Sequence, residues 1–191
     1  MPNWVTNDVV IMGDKNSIKE LYDDISIDED VFFLANTLPT PKELTEVHSG
    51  AITIDGVRYG NWYEDEDGTK TPVLDMRLDE LKEKYNCTNS IDWQYLNWGT
   101  KWGDRETHII SKDDKTIVLT FESAWGEPFL LLQHIAEMYK VEIVNRYLDE
   151  FEYDLPEPHR TDYPIENFGM VEQEHKTSFL SLINKFDNKW D

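Results

Sequence analysis

Carboxylates are the side chains with which this sequence could do chemistry, and they recur in three clusters, at residues 23–30, 64–67 and 149–174. Carboxylates can exchange protons with a substrate, and groups of them can hold a divalent cation. Because the chain has 39 Asp and Glu residues, no single pair stands out as an acid–base couple. The acidic turn at residues 65–68 could hold Ca²⁺ weakly, but it lacks the alternating ligands and closing Glu of an EF-hand loop.

The histidines, the single cysteine and the glycines offer no recognisable catalytic or cofactor-binding motif. No two of the five histidines have the close spacing of a zinc site. No basic residue or helix start beside Cys87 would lower its thiol pKa, so we interpret this cysteine as structural. The glycines form neither a P-loop nor a dinucleotide-binding fingerprint. We therefore expect no catalytic residue, no metal site and no cofactor.

The charge of the chain is its strongest functional signal. The 39 acidic residues face only 18 Lys and Arg, which gives a formal net charge of -21. Seven Trp, nine Tyr and eight Phe accompany these acids, and such a composition favours a folded domain over a disordered tail. A folded anionic surface repels nucleic acid and anionic membranes, and it attracts basic proteins over a long range. The partners we expect are therefore basic proteins, with no direct binding of nucleic acid or membrane.

Two interpretations of this charge remain open. It could simply keep the protein in solution. Alternatively, carboxylates held on a rigid scaffold could imitate a phosphate backbone and occupy the Lys/Arg groove of a nucleic-acid enzyme. Under the second interpretation the predicted binding residues are Glu64, Asp65, Glu66, Asp67, Glu150, Glu152, Asp154 and Glu157.

Length predicts one domain, or one domain with a sizeable insertion, and hydropathy and cysteine content predict a location in the cytoplasm. A chain of 191 residues suits a single domain. No apolar run approaches the roughly 20 residues of a membrane span. The first residues lack the basic and apolar regions of a signal peptide, and a lone cysteine fits a reducing compartment.

Periodicity divides the first half of the chain into a strand, a helix and an aromatic insertion. Residues 7–12 predict a β-strand, and Asn16 or Ser17 is expected to cap a helix bearing Ile18, Leu21, Tyr22 and Ile25 on one face. A second apolar segment follows at residues 31–35. The region at 49–104 is predicted to contain a hairpin segment (51–59) and a helix with a buried face. That face comprises Leu74, Leu78, Leu81 and Tyr85. We expect Trp98, Trp102 and Trp125 to be mostly buried.

The second half predicts two strands, a helix and a strand. Residues 107–111 and 115–121 pair around a turn, and residues 141–148 follow the helix. Pro128 marks the start of that helix. Its predicted buried face comprises Phe129, Leu132, Ile135, Ala136 and Tyr139. The order of elements predicts an α+β fold, a ferredoxin-like βαββαβ antiparallel sheet with two helices.

The predicted fold also fixes the division of the chain into parts. Residues 1–48 and 105–150 form the two halves of the core, and residues 49–104 form the inserted region. Residues 151–191 form an acidic extension with a short amphipathic helix at 178–186, packed on its own domain or on a partner. The helical face there is formed by Phe179, Leu182, Ile183 and Phe186.

Three sequence blocks resemble a known family. They are the opening residues 1–13, the segment Asn-Trp-Gly-Thr-Lys-Trp at 97–102, and the segment Phe-Glu-Ser-Ala-Trp-Gly-Glu-Pro at 121–128 followed by Tyr147. This pattern is similar to that of the Api/YubB-type proteins of phages and plasmids. The resemblance implies a ferredoxin-like fold and an origin in mobile elements, whose accessory genes often counter host defences. It implies no established activity and assigns no catalytic residue.

These observations lead to one functional hypothesis and two alternatives. The hypothesis is a non-enzymatic inhibitor whose anionic surface binds a host nucleic-acid-acting defence protein. The first alternative is a small enzyme with a Trp- and carboxylate-lined cleft between the core and the insertion. The second is a phage structural or assembly factor.

Overall fold

The computed structural model describes residues 3–28, 31–151 and 158–164. The described strands form a five-stranded sheet, a three-stranded sheet and a short two-stranded sheet, and helices connect them. The elements of the first half are β1 (Trp4–Met12), α1 (Lys15–Ile25), β2 (Ser26–Asp28), β3 (Val31–Phe32), a 3-10 helix (Leu34–Thr37), α2 (Lys42–Thr45), β4 (His48–Ile54), β5 (Val57–Glu64) and β6 (Lys70–Pro72). The later elements are α3 (Asp75–Tyr85), α4 (Ser90–Trp98), β7 (Asp104–Lys112), β8 (Thr116–Ala124), α5 (Phe129–Tyr139), β9 (Glu142–Asp149) and β10 (His159–Tyr163).

The five-stranded sheet has the strand order β10-β9-β1-β8-β7, and every neighbouring pair is antiparallel. Strand β1 lies at its centre, where Val10 pairs with Val118 of β8 on one side and with Val144 of β9 on the other. The prediction that residues 7–12, 115–121 and 141–148 share one antiparallel sheet is confirmed.

The alternation of side chains along β1 separates the two faces of this sheet. Val9 and Ile11 are fully buried in the main core cluster, together with Ile18 and Leu21 of α1 and Ile135 of α5. Since α1 and α5 also contact each other, the two helices form one layer over this face. Strand β1 also buries Asp8 and Val10 on its other face, so its β-branched residues, rather than a period of two, marked it as a strand in the sequence.

The two helices differ from their predictions in detail. Asp14, rather than Asn16 or Ser17, caps α1, because its carboxylate accepts the backbone N–H groups of both of these residues. Helix α5 begins after Pro128 as predicted, but Phe129 is half-exposed and Leu131 is buried in its place. The first turn of α5 is rotated relative to the prediction, so the apolar stripe begins at Leu131.

The inserted region packs onto the same core. Strands β4, β5 and β6 form the three-stranded sheet, and the predicted hairpin at residues 51–59 is present as the β4–β5 pair. The predicted helix is α3, whose Leu81 is buried in the main cluster. Leu74 is exposed because it is the N-cap residue, outside the helical face.

Trp98 fastens helix α4 to this core. Its ring is buried and meets Trp93 edge-on, with the ring centroids 5.7 Å apart. Its indole Nε1–H donates a hydrogen bond to the Leu38 carbonyl at 2.9 Å, so the polar end of the ring is also satisfied. The expectation that Trp98 is buried is confirmed.

Strand β10 was not predicted, because the prolines at 156, 158 and 164 argued against a long helix in the acidic stretch 149–174 and no strand was recognised there. Proline is tolerated at the ends of an edge strand, and β10 is the edge strand beside β9. The predicted terminal helix at 178–186, and the acidic extension except for residues 151 and 158–164, lie outside the described residues. Among the described helices, none has the length and apolar character needed to cross a membrane.

Candidate functional site

The acidic turn, residues 64–67, joins β5 to β6 at one end of the three-stranded sheet. The Asp65 N–H donates to the Thr69 carbonyl at 3.0 Å, and the Gly68 N–H donates to the Asp65 carbonyl at 2.9 Å. Gly68 has φ +81°, a left-handed conformation that glycine adopts without steric cost. The backbone of the turn is therefore closed by its own hydrogen bonds, and all four acidic side chains are exposed.

The charges of this turn are only partly compensated. The Glu64 carboxylate lies 3.6 Å from the Lys70 ammonium on the paired strand. Hydrogen bonds from the Thr69 side chain and backbone N–H hold the pKa of the Asp67 carboxyl below its ordinary value. Asp67 therefore stays ionised at neutral pH, and the turn presents fixed negative charge to solvent.

The second predicted group of acids lies elsewhere in the fold. Glu150 follows β9, and its backbone N–H donates to the Trp4 carbonyl at 3.1 Å. Its side chain is half-buried. Residues Glu152, Asp154 and Glu157 lie outside the described residues. Glu150 therefore belongs to the margin of the five-stranded sheet, while the acidic turn belongs to the other sheet.

An exposed aromatic corner, formed by Trp4, Trp102 and Trp125 with Lys101 and Arg105, corrects one prediction. Trp102 and Trp125 were expected to be mostly buried, but their exposures are 47% and 49%. The Trp4 and Trp102 ring centroids are 6.3 Å apart. The Lys101 ammonium lies 4.2 Å from the Trp102 centroid and 5.1 Å from that of Trp125. Arg105 covers the other ring, with its guanidinium carbon 3.8 Å from the Trp4 centroid.

The end of helix α4 explains the exposure of Trp102. Trp98 and Trp102 would share one helical face if the helix continued, but Gly99 ends it with φ +82°. A side chain at position 99 would clash with the Phe129 ring, 2.7 Å from the position of a Cβ atom. Trp102 and Trp125 each have φ +71° in the turns that follow α4 and β8. The signal that could have revealed this was Gly99 itself, between the two tryptophans.

A polar network around Glu127 was missed by sequence reasoning. Glu127 Oε1 accepts hydrogen bonds from Tyr163 Oη at 2.7 Å and from Asn145 Nδ2 at 2.9 Å. Its Oε2 accepts the Thr161 hydroxyl at 2.9 Å. Asn145 Nδ2 also donates to Asn7 Oδ1 at 2.9 Å, which extends the network into β1. The network joins the loop before α5 to strands β1, β9 and β10, and no local sequence pattern marks it.

The network is better suited to structure than to acid–base catalysis. Burial, and then the hydrogen bond to Glu127, raise the pKa of the Tyr163 phenol. Because this phenol remains protonated, it stays a donor to the carboxylate at every physiological pH. Both Glu127 oxygens are occupied by donors from the protein itself. The carboxylate therefore fastens strand β10 to the sheet.

A groove of about 530 Å³ lies beside α3 and α4, within the inserted region. Its lining residues are Lys82, Asn86, Cys87, Thr88, Asp92, Tyr95 and Leu96. Burial, and secondarily the Asp92 charge, raise the pKa of the Cys87 thiol, so this thiol is a poor nucleophile at neutral pH. In the part of the chain that the structure describes, no three His, Cys, Asp or Glu side chains are grouped so as to hold a metal ion.

Comparison with known proteins supports the fold. The family model described as a ferredoxin-like domain in Api92-like protein matches residues 97–155. The chain is also similar to the crystal structure of a protein api92 from Yersinia pseudotuberculosis, with a TM-score of 0.51 and 10% identity. That similarity covers 90% of this chain and 100% of the other. The comparison with curated protein sequences gave no match. The predicted ferredoxin-like, α+β character and the resemblance to Api-type proteins are thereby supported.

Proposed function

We propose that this chain is a non-enzymatic binding protein of a phage or plasmid, acting in the host cytoplasm. Its target is a basic, nucleic-acid-acting protein of the host, most simply a defence nuclease. The chain inhibits this target by presenting carboxylates where the target normally holds a phosphate backbone. The scaffold that we propose is a βαββαβ core of β1, α1, β7, β8, α5 and β9, with the inserted region between α1 and β7 and an acidic extension after β9.

The observation that carries this proposal is the acidic turn. Glu64, Asp65, Glu66 and Asp67 are consecutive and exposed, and the turn is closed by its own hydrogen bonds. A mimic of nucleic acid needs several negative charges held in place, because ordering flexible side chains on binding costs free energy. The net charge of -21 adds a long-range field that accelerates encounter with a basic groove.

Binding kinetics test the proposal once a target has been captured from host lysate and identified by mass spectrometry. We expect the capture to be released at high salt, since screening shortens from about 10 Å at 0.1 M to about 3 Å at 1 M. The four acids of the turn are then replaced together, Glu→Gln and Asp→Asn. The association rate should fall about tenfold at low salt, with a smaller change in the dissociation rate.

A matched variant separates a local effect from the loss of total charge. Replacing Glu20, Asp79, Glu83 and Glu137 removes the same number of charges from exposed helical positions. This variant should associate at nearly the wild-type rate. Equal slowing by both variants would indicate that only the net charge matters, and no slowing by either would refute mimicry.

The aromatic corner favours a second candidate function, a hot spot for a protein partner. Trp and Arg are the residue types that most often dominate binding interfaces. Trp102 and Trp125 are half-exposed around a lysine, which leaves ring surface accessible. If this corner binds the partner, Trp102→Ala should raise the dissociation rate while lowering the melting temperature by only a few degrees. The charge variants above should then have little effect.

A further inference from the structure

The face of the five-stranded sheet that points away from α1 and α5, here called the open face, has an apolar centre. Val10 of β1 lies there because its neighbours Val9 and Ile11 point toward the helices. The register places Val118 and Val144 directly beside Val10 on the same face. Three adjacent valines at the centre of a sheet face are unusual if that face is bare, since solvated faces of antiparallel sheets are normally polar.

These valines are buried. Val10, Val118 and Val144 are exposed by only 3%, 2% and 6%. Among the described residues, Val10 and Val118 form a small cluster of their own, against which Met12 packs. The helices and the inserted region contribute instead to the main cluster on the other face. Among the described elements, therefore, none packs on the open face to account for the burial of these valines.

Asp8 gives a second indication that the open face is covered. It lies next to Val10 on this face, is only 4% exposed, and pairs across the strands with Thr120 and Arg146. Its Oδ1 atom is buried without a hydrogen-bond partner among the described residues. A carboxylate oxygen in that position calls for a donor from whatever covers the sheet, because burying it unpaired is costly.

We propose that the C-terminal segment of this same chain, residues 165–191, covers the open face. Strand β10 ends at Tyr163, at the edge of the sheet beside β9, so the segment starts next to the face. Strand β8 lies three strand spacings from β10 across the sheet, a distance of roughly 15 Å. The 13 residues 165–177 can span up to about 40 Å, which is ample.

The sequence of the segment fits this face in shape and apolar character. Phe179, Leu182, Ile183 and Phe186 recur at helical spacing, and nine residues of helix extend over about 13 Å, close to the width of three strands. This apolar stripe is complementary to the valines at the centre of the face.

This occupant fits the face better than a single-stranded nucleic acid does. Sheets of this kind bind RNA through exposed aromatic side chains. The central positions of the open face carry Asp8, Val10, Val118 and Thr120 instead. With a net charge of -21 the chain would also repel a phosphate backbone.

Thiol labelling tests the proposal in the full-length chain. Cys87 is replaced by Ala, and Val118→Cys supplies one reporter thiol on the open face. The same reporter at Ile110, which is half-exposed, supplies a freely reactive control. We expect the thiol at position 118 to react at least about a hundredfold more slowly. Adding Leu182→Asp and Ile183→Asp should accelerate its reaction about tenfold or more, whereas Ser181→Asp with Asn184→Asp, on the opposite helical face, should not.

Cross-linking provides a readout that does not depend on those substitutions. A short photoreactive group on Thr116→Cys, at the margin of the open face, is activated in dilute protein and the products are mapped by mass spectrometry. We expect cross-links within residues 165–191 of the same molecule. Cross-links between two molecules would show that a second copy covers the face. The proposal would be overturned by such intermolecular cross-links or by cross-links only to other segments of the chain. Unchanged labelling in the Asp variants would also overturn it.

Discussion

The phenolic hydroxyl of Tyr163 donates a hydrogen bond to Glu127 Oε1 at 2.7 Å. This contact joins strand β10 to the loop that precedes α5, 36 residues earlier in the chain. Thr161 and Asn145 donate to the same carboxylate, at 2.9 Å each. Glu127 therefore adds side-chain hydrogen bonds to the backbone pairing with β9 that holds the last described strand in the sheet.

Removal of the Glu127 carboxylate should destabilise the protein. Glu127→Ala leaves three donors without their acceptor, so the free energy of unfolding should fall by about 2–4 kcal/mol. Urea denaturation measures the change. Glu137→Ala is the control, because Glu137 is exposed on α5, and it should change the value by less than about 0.5 kcal/mol. Equal effects of the two substitutions would show that the network adds nothing to stability.

Tyr163 should not ionise in the native protein at moderately alkaline pH. Burial raises its pKa above the ordinary tyrosine value, so its contribution to stability is complete below about pH 10 and is lost as the pH rises further. Ultraviolet absorbance reports tyrosine ionisation. Between about pH 9 and 11, Tyr163→Phe should leave the native titration unchanged, whereas the same substitution in urea-unfolded protein should remove one titrating group. Loss of a titrating group in native Tyr163→Phe would contradict this environment.

Asp104 should be essential for the attachment of the 3-10 helix to β7. Its buried carboxylate accepts the backbone N–H groups of Leu34 at 2.8 Å and Ala35 at 2.9 Å, and also the Thr107 hydroxyl. Asp104→Ala should lower the free energy of unfolding by about 3 kcal/mol and accelerate hydrogen exchange at both amides. The exposed Asp79→Ala is the control. Unchanged exchange at Leu34 and Ala35 would refute the assignment.

Two tryptophans four residues apart should respond differently to truncation. Trp98 is buried and hydrogen-bonded, so Trp98→Ala should cost about 3–5 kcal/mol of stability. Trp102 is half-exposed, so Trp102→Ala should cost about 1 kcal/mol or less. Thermal and urea unfolding of the two variants measure the difference. Similar losses would mean that Trp102 is buried as well.

The central strands and the two helices could be predicted from local patterns of residue type. Val9, Val10 and Ile11 give β1 its β-branched character, and Ile18, Leu21 and Ile25 repeat at helical spacing along α1. Such local patterns were sufficient for strands β1, β8 and β9 and for their helical layer.

The rest depends on relationships that periodicity does not encode. The bond between Asn145 and Asn7 links residues 138 positions apart. Trp102 follows a helix that Gly99 ends, so its spacing from Trp98 is misleading. The acidic turn was visible as a run of charge, yet its closure by Thr69 and Gly68 is a property of the folded hairpin.

Competition for one target tests the central claim most directly. The captured target is saturated with fluorescently labelled nucleic acid at about 0.1 M salt, and this chain is then titrated in while anisotropy is recorded. Mimicry predicts complete displacement of the nucleic acid, with no ternary complex. The variant with residues 64–67 neutralised should need a several-fold higher concentration, and the difference should shrink near 0.5 M salt. Simultaneous binding of the chain and the nucleic acid, or equal displacement by wild type and variant, would contradict the claim.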